Sequence, residues 1–147
     1  GIKQLAICQH FAHTLSVVES LPLAASQGNS PEVFFSTLAP HTKIPPHYGL
    51  SNVKLAVHWP IALNNHSHIE VGQVKRQWQH GECLVFDDSF LHAAENNDET
   101  PRTVLILEVW HPELSSEEIT HIQSLNKITD DWYRSYLPNL HASDVAG

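Results

Sequence analysis

VFFSTLAPHTKIPPHYGLSNVKLAVHW, residues 33 to 59, is the stretch whose reading decides the fold. Two runs in it, VFFSTLA (33–39) and VKLAVHW (53–59), are short and rich in β-branched and aromatic residues. The segment PHTKIPP, with three prolines, reads as a turn between them. The same texture continues through IEVGQV (69–74), CLVFD (83–87) and TVLILEVW (103–110), separated by ALNNHS, QHGE and ENNDETP. No helical period appears between residues 33 and 110.

The flanks differ. Ile7, Phe11, Leu15 and Val18 recur at steps of four, four and three, which predicts a helix over about residues 2–21. PLAASQGNSPE (22–32) reads as a loop. At the other end, Ser115 and Glu118 have capping-box spacing, and Ile119, Ile122, Leu125 and Ile128 follow. They predict a C-terminal helical segment over about 115–138, stopped by Pro138 and followed by a frayed tail. No repeat or linker is visible, so residues 1–147 are read as a single domain with its core at about 33–114. The expected fold is mainly β: a double-stranded β-helix (jelly roll, cupin-like) with flanking N- and C-terminal helices.

A chain of 147 residues is long enough for one modest core. Eight Lys and Arg against 16 Asp and Glu give a net charge of −8, which argues against nucleic acid or an anionic membrane as the main partner. No apolar run is long enough for a membrane span, and the N-terminus lacks a signal-peptide pattern. Cys8 and Cys83 form no disulfide framework, which fits a cytoplasmic location. Of the 12 His, we read His10, His13, His41, His66, His68, His80, His121 and His141 as surface or packing residues.

Three places carry chemistry. His47 follows Pro45 and Pro46, which favour an extended approach, and Gly49 allows a close backbone approach after it. That gives its ring a defined direction, as a metal ligand or as a hydrogen-bonded structural His. In CLVFDDSFLHAAEN (83–96) an apolar strand runs into Asp87, Asp88 and His92. The acids either serve a site or cap a turn. Arg102 enters a strongly apolar strand and needs a carboxylate, from Glu108 or from a bound ligand. Ser36, in the first strand, could offer a hydroxyl to the same ligand.

PHYGLSN, KLAVHW, QWQHGECLVFDDSFLH and PRTVLILEVWHPELSSEE, in this order, resemble the aspartyl/asparaginyl β-hydroxylase family over roughly residues 33 to 118. Those are double-stranded β-helix oxygenases that use Fe(II), 2-oxoglutarate and O2. The resemblance implies that His47 and His92 are the metal ligands and catalytic centre. Gly49 stands where most 2-oxoglutarate oxygenases place an acidic ligand. Asp87 and Asp88 would then orient the ligands. Ser36 and Arg102 match the contacts to the distal carboxylate of 2-oxoglutarate, and His58 matches a His near its metal-proximal carboxylate. Trp78 and Gly81 match a W-x-x-G turn with a packing role.

The resemblance also exposes departures. The family's peptide hydroxylases carry two Arg for an acidic substrate side chain at the positions of Lys54 and Ala56. Lys54 keeps a charge for such a contact and Ala56 keeps none. The expected activity is therefore hydroxylation of a C–H bond in a small-molecule or peptide substrate, not specifically peptidyl Asp or Asn. The competing readings are a non-oxidative cupin-like metal- or ligand-binding protein and a metal-dependent isomerase.

Overall fold

TVLILEVW has apolar side chains on both faces because both faces are covered. In the computed structural model, which describes residues 3–25 and 31–136, it forms most of a central strand. The strands are β1 (Val33–Leu38), β2 (Thr42–His47), β3 (Lys54–Ala62), β4 (Ser67–Val71), β5 (Val74–Arg76), β6 (Leu84–Phe86), β7 (His92–Asn96) and β8 (Arg102–Trp110). They pair antiparallel in two four-stranded sheets, ordered β1-β8-β3-β6 and β2-β7-β4-β5. Two such sheets with non-sequential neighbours make the expected jelly roll.

Val104 and Ile106 of β8 pack with Leu38, Ile69, Trp78 and Ala94 in the core between the sheets. Leu105 and Leu107 belong to a second cluster with Val18, Leu21 and Leu23. Each fully buried Val or Leu of this kind contributes about 1.5–3 kcal/mol. The one N-terminal helix expected from the sequence is instead two, α1 (Leu5–His10) and α2 (Ala12–Glu19). They part at Phe11, which leaves helical geometry at φ −121° and ψ 40°. Its ring lies 5.0 Å from that of Phe35. Only the second half of the periodic stripe docks, so Val18 is buried while Ile7 stays exposed.

Other differences have local causes. PHTKIPP is mostly strand rather than turn. Its Pro45 and Pro46 are tolerated because β2 is an edge strand and its register slips between Ile44 and His47. IEVGQV is two strands, not one, folded at Gly72, whose φ is +60°. HAAEN, small and polar, is strand β7, and its Asn96 is completely buried. Asn96 Nδ2 donates to the carbonyls of Leu38, Ala39 and Thr100, and its Oδ1 accepts from Ser67 Oγ, Asn64 Nδ2 and the Asp98 amide. This closes one end of the sandwich with polar groups satisfied.

Helix α3 (Ser116–Tyr136) begins at the expected capping box. The Ser115 amide donates to Glu118 Oε2 at 2.8 Å, and the Glu118 amide donates to Ser115 Oγ at 3.2 Å. The expected stop at Pro138, the tail with His141, and residues 26–30 of the loop lie outside the described residues. Among the described residues no helix is long and apolar enough to cross a membrane.

Candidate metal and carboxylate site

Between the sheets lies a cavity of about 220 Å³. That is below the range of drug-sized pockets, roughly 300–1,000 Å³. Ser36, Ala56, His58, Arg102 and Glu108 reach it from one sheet, and His47, Ile69 and His92 from the other.

His47 ends β2 and His92 begins β7, and the two are partners across the antiparallel ladder. Directly opposed side chains share a face, and these rings lie 4.1 Å apart, centroid to centroid, at 54°. Each ring is held in the same way. Nδ1 of His47 lies 2.8 Å from the carbonyl of Pro45, and Nδ1 of His92 lies 2.9 Å from the carbonyl of Phe90. A carbonyl only accepts, so each Nδ1 carries a proton, and in the neutral form of either ring Nε2 keeps its lone pair. A backbone carbonyl on one ring nitrogen is the usual support for an imidazole that ligates a metal through the other. Neutral imidazoles suit Fe(II) and other first-row divalent ions. Among the described residues no three His, Cys, Asp or Glu converge on one point. Among the described residues His47 and His92 are thus a facing pair of imidazoles with no third such group beside them.

Carbonyls, rather than the two neighbouring acids, hold these rings. Asp87 caps a turn, accepting the Ser89 amide on Oδ1 at 2.9 Å. Asp88 lines the cavity. The Gly49 amide donates to the Asp88 carbonyl at 2.7 Å. A Cβ at position 49 would lie 2.4 Å from Asp88 Cγ. Asp88 therefore fills the space a side chain at 49 would need. Gly49→Ala is expected to destabilise the protein by about 1–3 kcal/mol as overpacking. Most of that cost should disappear in an Asp88→Ala background, measured as non-additive urea unfolding energies.

Arg102 is 1% exposed. Its Nε has no hydrogen-bond partner, and its Nη1 makes only a 3.4 Å contact to the Ser36 carbonyl. Of the two partners the sequence allows, Glu108 is out of reach, six residues or roughly 20 Å along the same strand, and its Oε2 accepts from Lys54 Nζ at 2.5 Å. Burial lowers the Arg102 pKa to about 10. The guanidinium lies over the Trp78 ring, 4.3 Å from its centroid. Ser36 lines the cavity as expected.

His58 is buried, and its Nδ1 accepts from Trp78 Nε1 at 3.3 Å. Burial first, then the charges of Arg102 and His92, push its pKa from 6.5 down to about 4. The folded protein therefore keeps His58 neutral, while the unfolded chain takes up a proton below about pH 6.5. Stability from this group is fully present above pH 6.5 and is lost as pH falls towards 4. The loss is on the order of 3 kcal/mol. Urea midpoints between pH 7 and 4 should show a shallower decline in His58→Gln than in the parent protein.

Lys54, expected to meet a substrate carboxylate, would have to leave Glu108 to do so. Ala56 sits opposite Glu108 in the strand register. The carboxyl groups of Glu32, Asp88 and Glu108 also line the cavity. The sequence reading gave Trp78 a packing role and missed its contacts to His58 and Arg102. The available signal was a single large aromatic within the polar run QWQHGE.

Two antiparallel four-stranded sheets packed face to face, with a cavity lined by His47, His58, His92 and Arg102 between them, define a cupin-like double-stranded β-helix protein. The family model described as aspartyl/asparaginyl beta-hydroxylase matches residues 1–112, and the chain belongs to that family. It is 32% identical over 114 residues to human aspartate beta-hydroxylase domain-containing protein 2, covering 76% of this chain and 31% of that protein. It is 28% identical over 119 residues to human aspartyl/asparaginyl beta-hydroxylase, covering 80% of this chain and 16% of that protein. The chain thus spans less than a third of these relatives' length. A cupin domain of an XRE-family transcriptional regulator from Enterobacter cloacae aligns with TM-score 0.46 at 15% identity, covering 54% of this chain and 80% of that one.

Proposed function

We propose that this hydroxylase-family chain is an Fe(II)- and 2-oxoglutarate-dependent dioxygenase that hydroxylates a C–H bond of a peptide side chain or small molecule. The observation that carries the reading is Arg102, a buried guanidinium beside the cavity that pairs with no carboxylate among the described residues. An unpaired buried cation is costly, by several kcal/mol, unless an anion joins it. A small dicarboxylate could pair one end with Arg102 and bring the other towards the Nε2 atoms of His47 and His92.

In this reading His47 and His92 hold Fe(II), with their tautomers fixed by the carbonyls of Pro45 and Phe90. Arg102 and the Ser36 hydroxyl bind the distal carboxylate. The neutral His58, with its proton on Nε2, donates to the carboxylate nearer the metal. Phe34, Ile69, Phe86 and Ile106 form apolar walls that limit water. When bound, the iron would supply activation of O2 at the expense of 2-oxoglutarate, which leaves as succinate and CO2. The remaining task of the chain is to orient the target C–H bond. Ala56 and the Lys54–Glu108 pair leave no free cation at the positions that would bind an acidic side chain, which favours a substrate other than peptidyl Asp.

Anaerobic titration of the protein with Fe(II) and 2-oxoglutarate is expected to give a weak visible charge-transfer band. Admission of O2 with a suitable substrate should then yield succinate. No band would remove the cosubstrate assignment. A band without succinate formation across a broad substrate panel would favour the non-oxidative binding protein.

A further inference from the structure

We propose that Trp78 is a positioning residue that sets both carboxylate-binding groups of the cavity at once. Its indole N–H selects the tautomer of His58, and its ring face seats the guanidinium of Arg102. The proposal rests on the roles given to His58 and Arg102 above.

Trp78 lies outside any strand, between exposed Gln77 and Gln79, yet it is only 6% exposed itself. It has two functional neighbours. The Arg102 guanidinium carbon lies 4.3 Å from the centroid of its ring. The His58 ring is nearly parallel to it, at 16° and 6.1 Å between centroids, and Nε1 donates to His58 Nδ1 at 3.3 Å. An indole N–H can only donate, so Nδ1 of His58 must accept. The proton of the neutral ring is then on Nε2, where a carboxylate can accept it. With the opposite tautomer, His58 would present a lone pair to that carboxylate. Arg102 has an unpartnered Nε and one long contact to the Ser36 carbonyl. The indole face is thus a principal support for a planar cation that otherwise lacks a firm partner. A packing role for Trp78 requires only its bulk. A positioning role also requires its N–H.

Trp78→Phe separates the two, because it keeps an aromatic face and loses the donor. Long-range 15N–1H correlations on metal-free, 15N-His-labelled protein read the His58 tautomer directly, with His58→Gln providing the assignment. The parent protein is expected to hold the Nε2–H form, and Trp78→Phe to shift towards a mixture. In anaerobic Fe(II) titrations the Trp78→Phe dissociation constant for 2-oxoglutarate should rise about 2–10-fold, the weight of one net hydrogen bond. Trp78→Leu, which also removes the face under Arg102, should raise it further. An Nδ1–H form of His58 in the parent protein would overturn the proposal without any variant. So would a folded Trp78→Phe with unchanged tautomer and affinity. Failure of the parent protein to bind 2-oxoglutarate would instead defeat the functional reading, and the metal-free spectra would still report on the Trp78–His58 link.

Discussion

His47→Ala and His92→Ala are each expected to lower the apparent affinity for Fe(II) by about 100-fold or more, leaving little 2-oxoglutarate turnover at iron levels that saturate the parent protein. Loss of a residue that merely supports a ligand typically costs 10–100-fold, and loss of the ligand should exceed that. On the proposed reading two imidazoles hold the metal, so either substitution removes half of the donor set. The fold should survive, because His47 is exposed and His92 is only partly buried, at the open end of the sandwich. Thermal unfolding of the metal-free variants should stay close to that of the parent, while succinate formation at limiting Fe(II) collapses. Parent-like iron dependence in either variant would contradict the assignment.

Arg102→Met should separate binding from stability. A ligand carboxylate that loses a guanidinium forgoes about 1.5–3 kcal/mol, so 2-oxoglutarate should bind roughly 10–150-fold more weakly. The unliganded protein, however, should be no less stable. Replacing a buried charge that lacks a counterion with an apolar side chain of similar volume removes a desolvation penalty of several kcal/mol. Urea unfolding without ligand and an anaerobic titration with it measure the two effects. Unchanged affinity would remove the carboxylate role of Arg102. A large loss of stability without ligand would show that the residue serves the fold instead.

Much of the architecture was legible because strand texture and turn residues carry it. TVLILEVW, VKLAVHW and VFFSTLA read as strands since their β-branched and aromatic side chains meet a packed partner. Ser115 and Glu118 marked the start of α3 because their bonds are local. What escaped was decided by tertiary context. Pro45 and Pro46 obscured β2, since only a known edge position explains how a strand tolerates them. HAAEN looked unlike a strand because Asn96 is buried for its hydrogen bonds rather than for apolar area. In the site, His47, His58, His92, Ser36 and Arg102 were identified through motif resemblance, and all five line one cavity. That Arg102 pairs with no carboxylate among the described residues was only half legible: one continuous strand from 102 to 108 puts Glu108 roughly 20 Å away, but which other acids approach Arg102 is set by the packing of the two sheets. The indole bond to His58 joins elements 20 positions apart and has no local signature.

The opposition of His47 and His92 across one antiparallel pair has an evolutionary corollary. Their separation is governed by ladder spacing, not by the 45 positions of chain between them. Insertions in the connections at 48–53 or 77–83 should leave the bite of the pair untouched. Deleting one residue from β7 between His92 and Ala94 would turn the His92 imidazole to the opposite side of its sheet. Changes of length in those connecting stretches are therefore expected to be tolerated where they spare Gly49 and Trp78, while the pairing of His47 with His92 holds fixed.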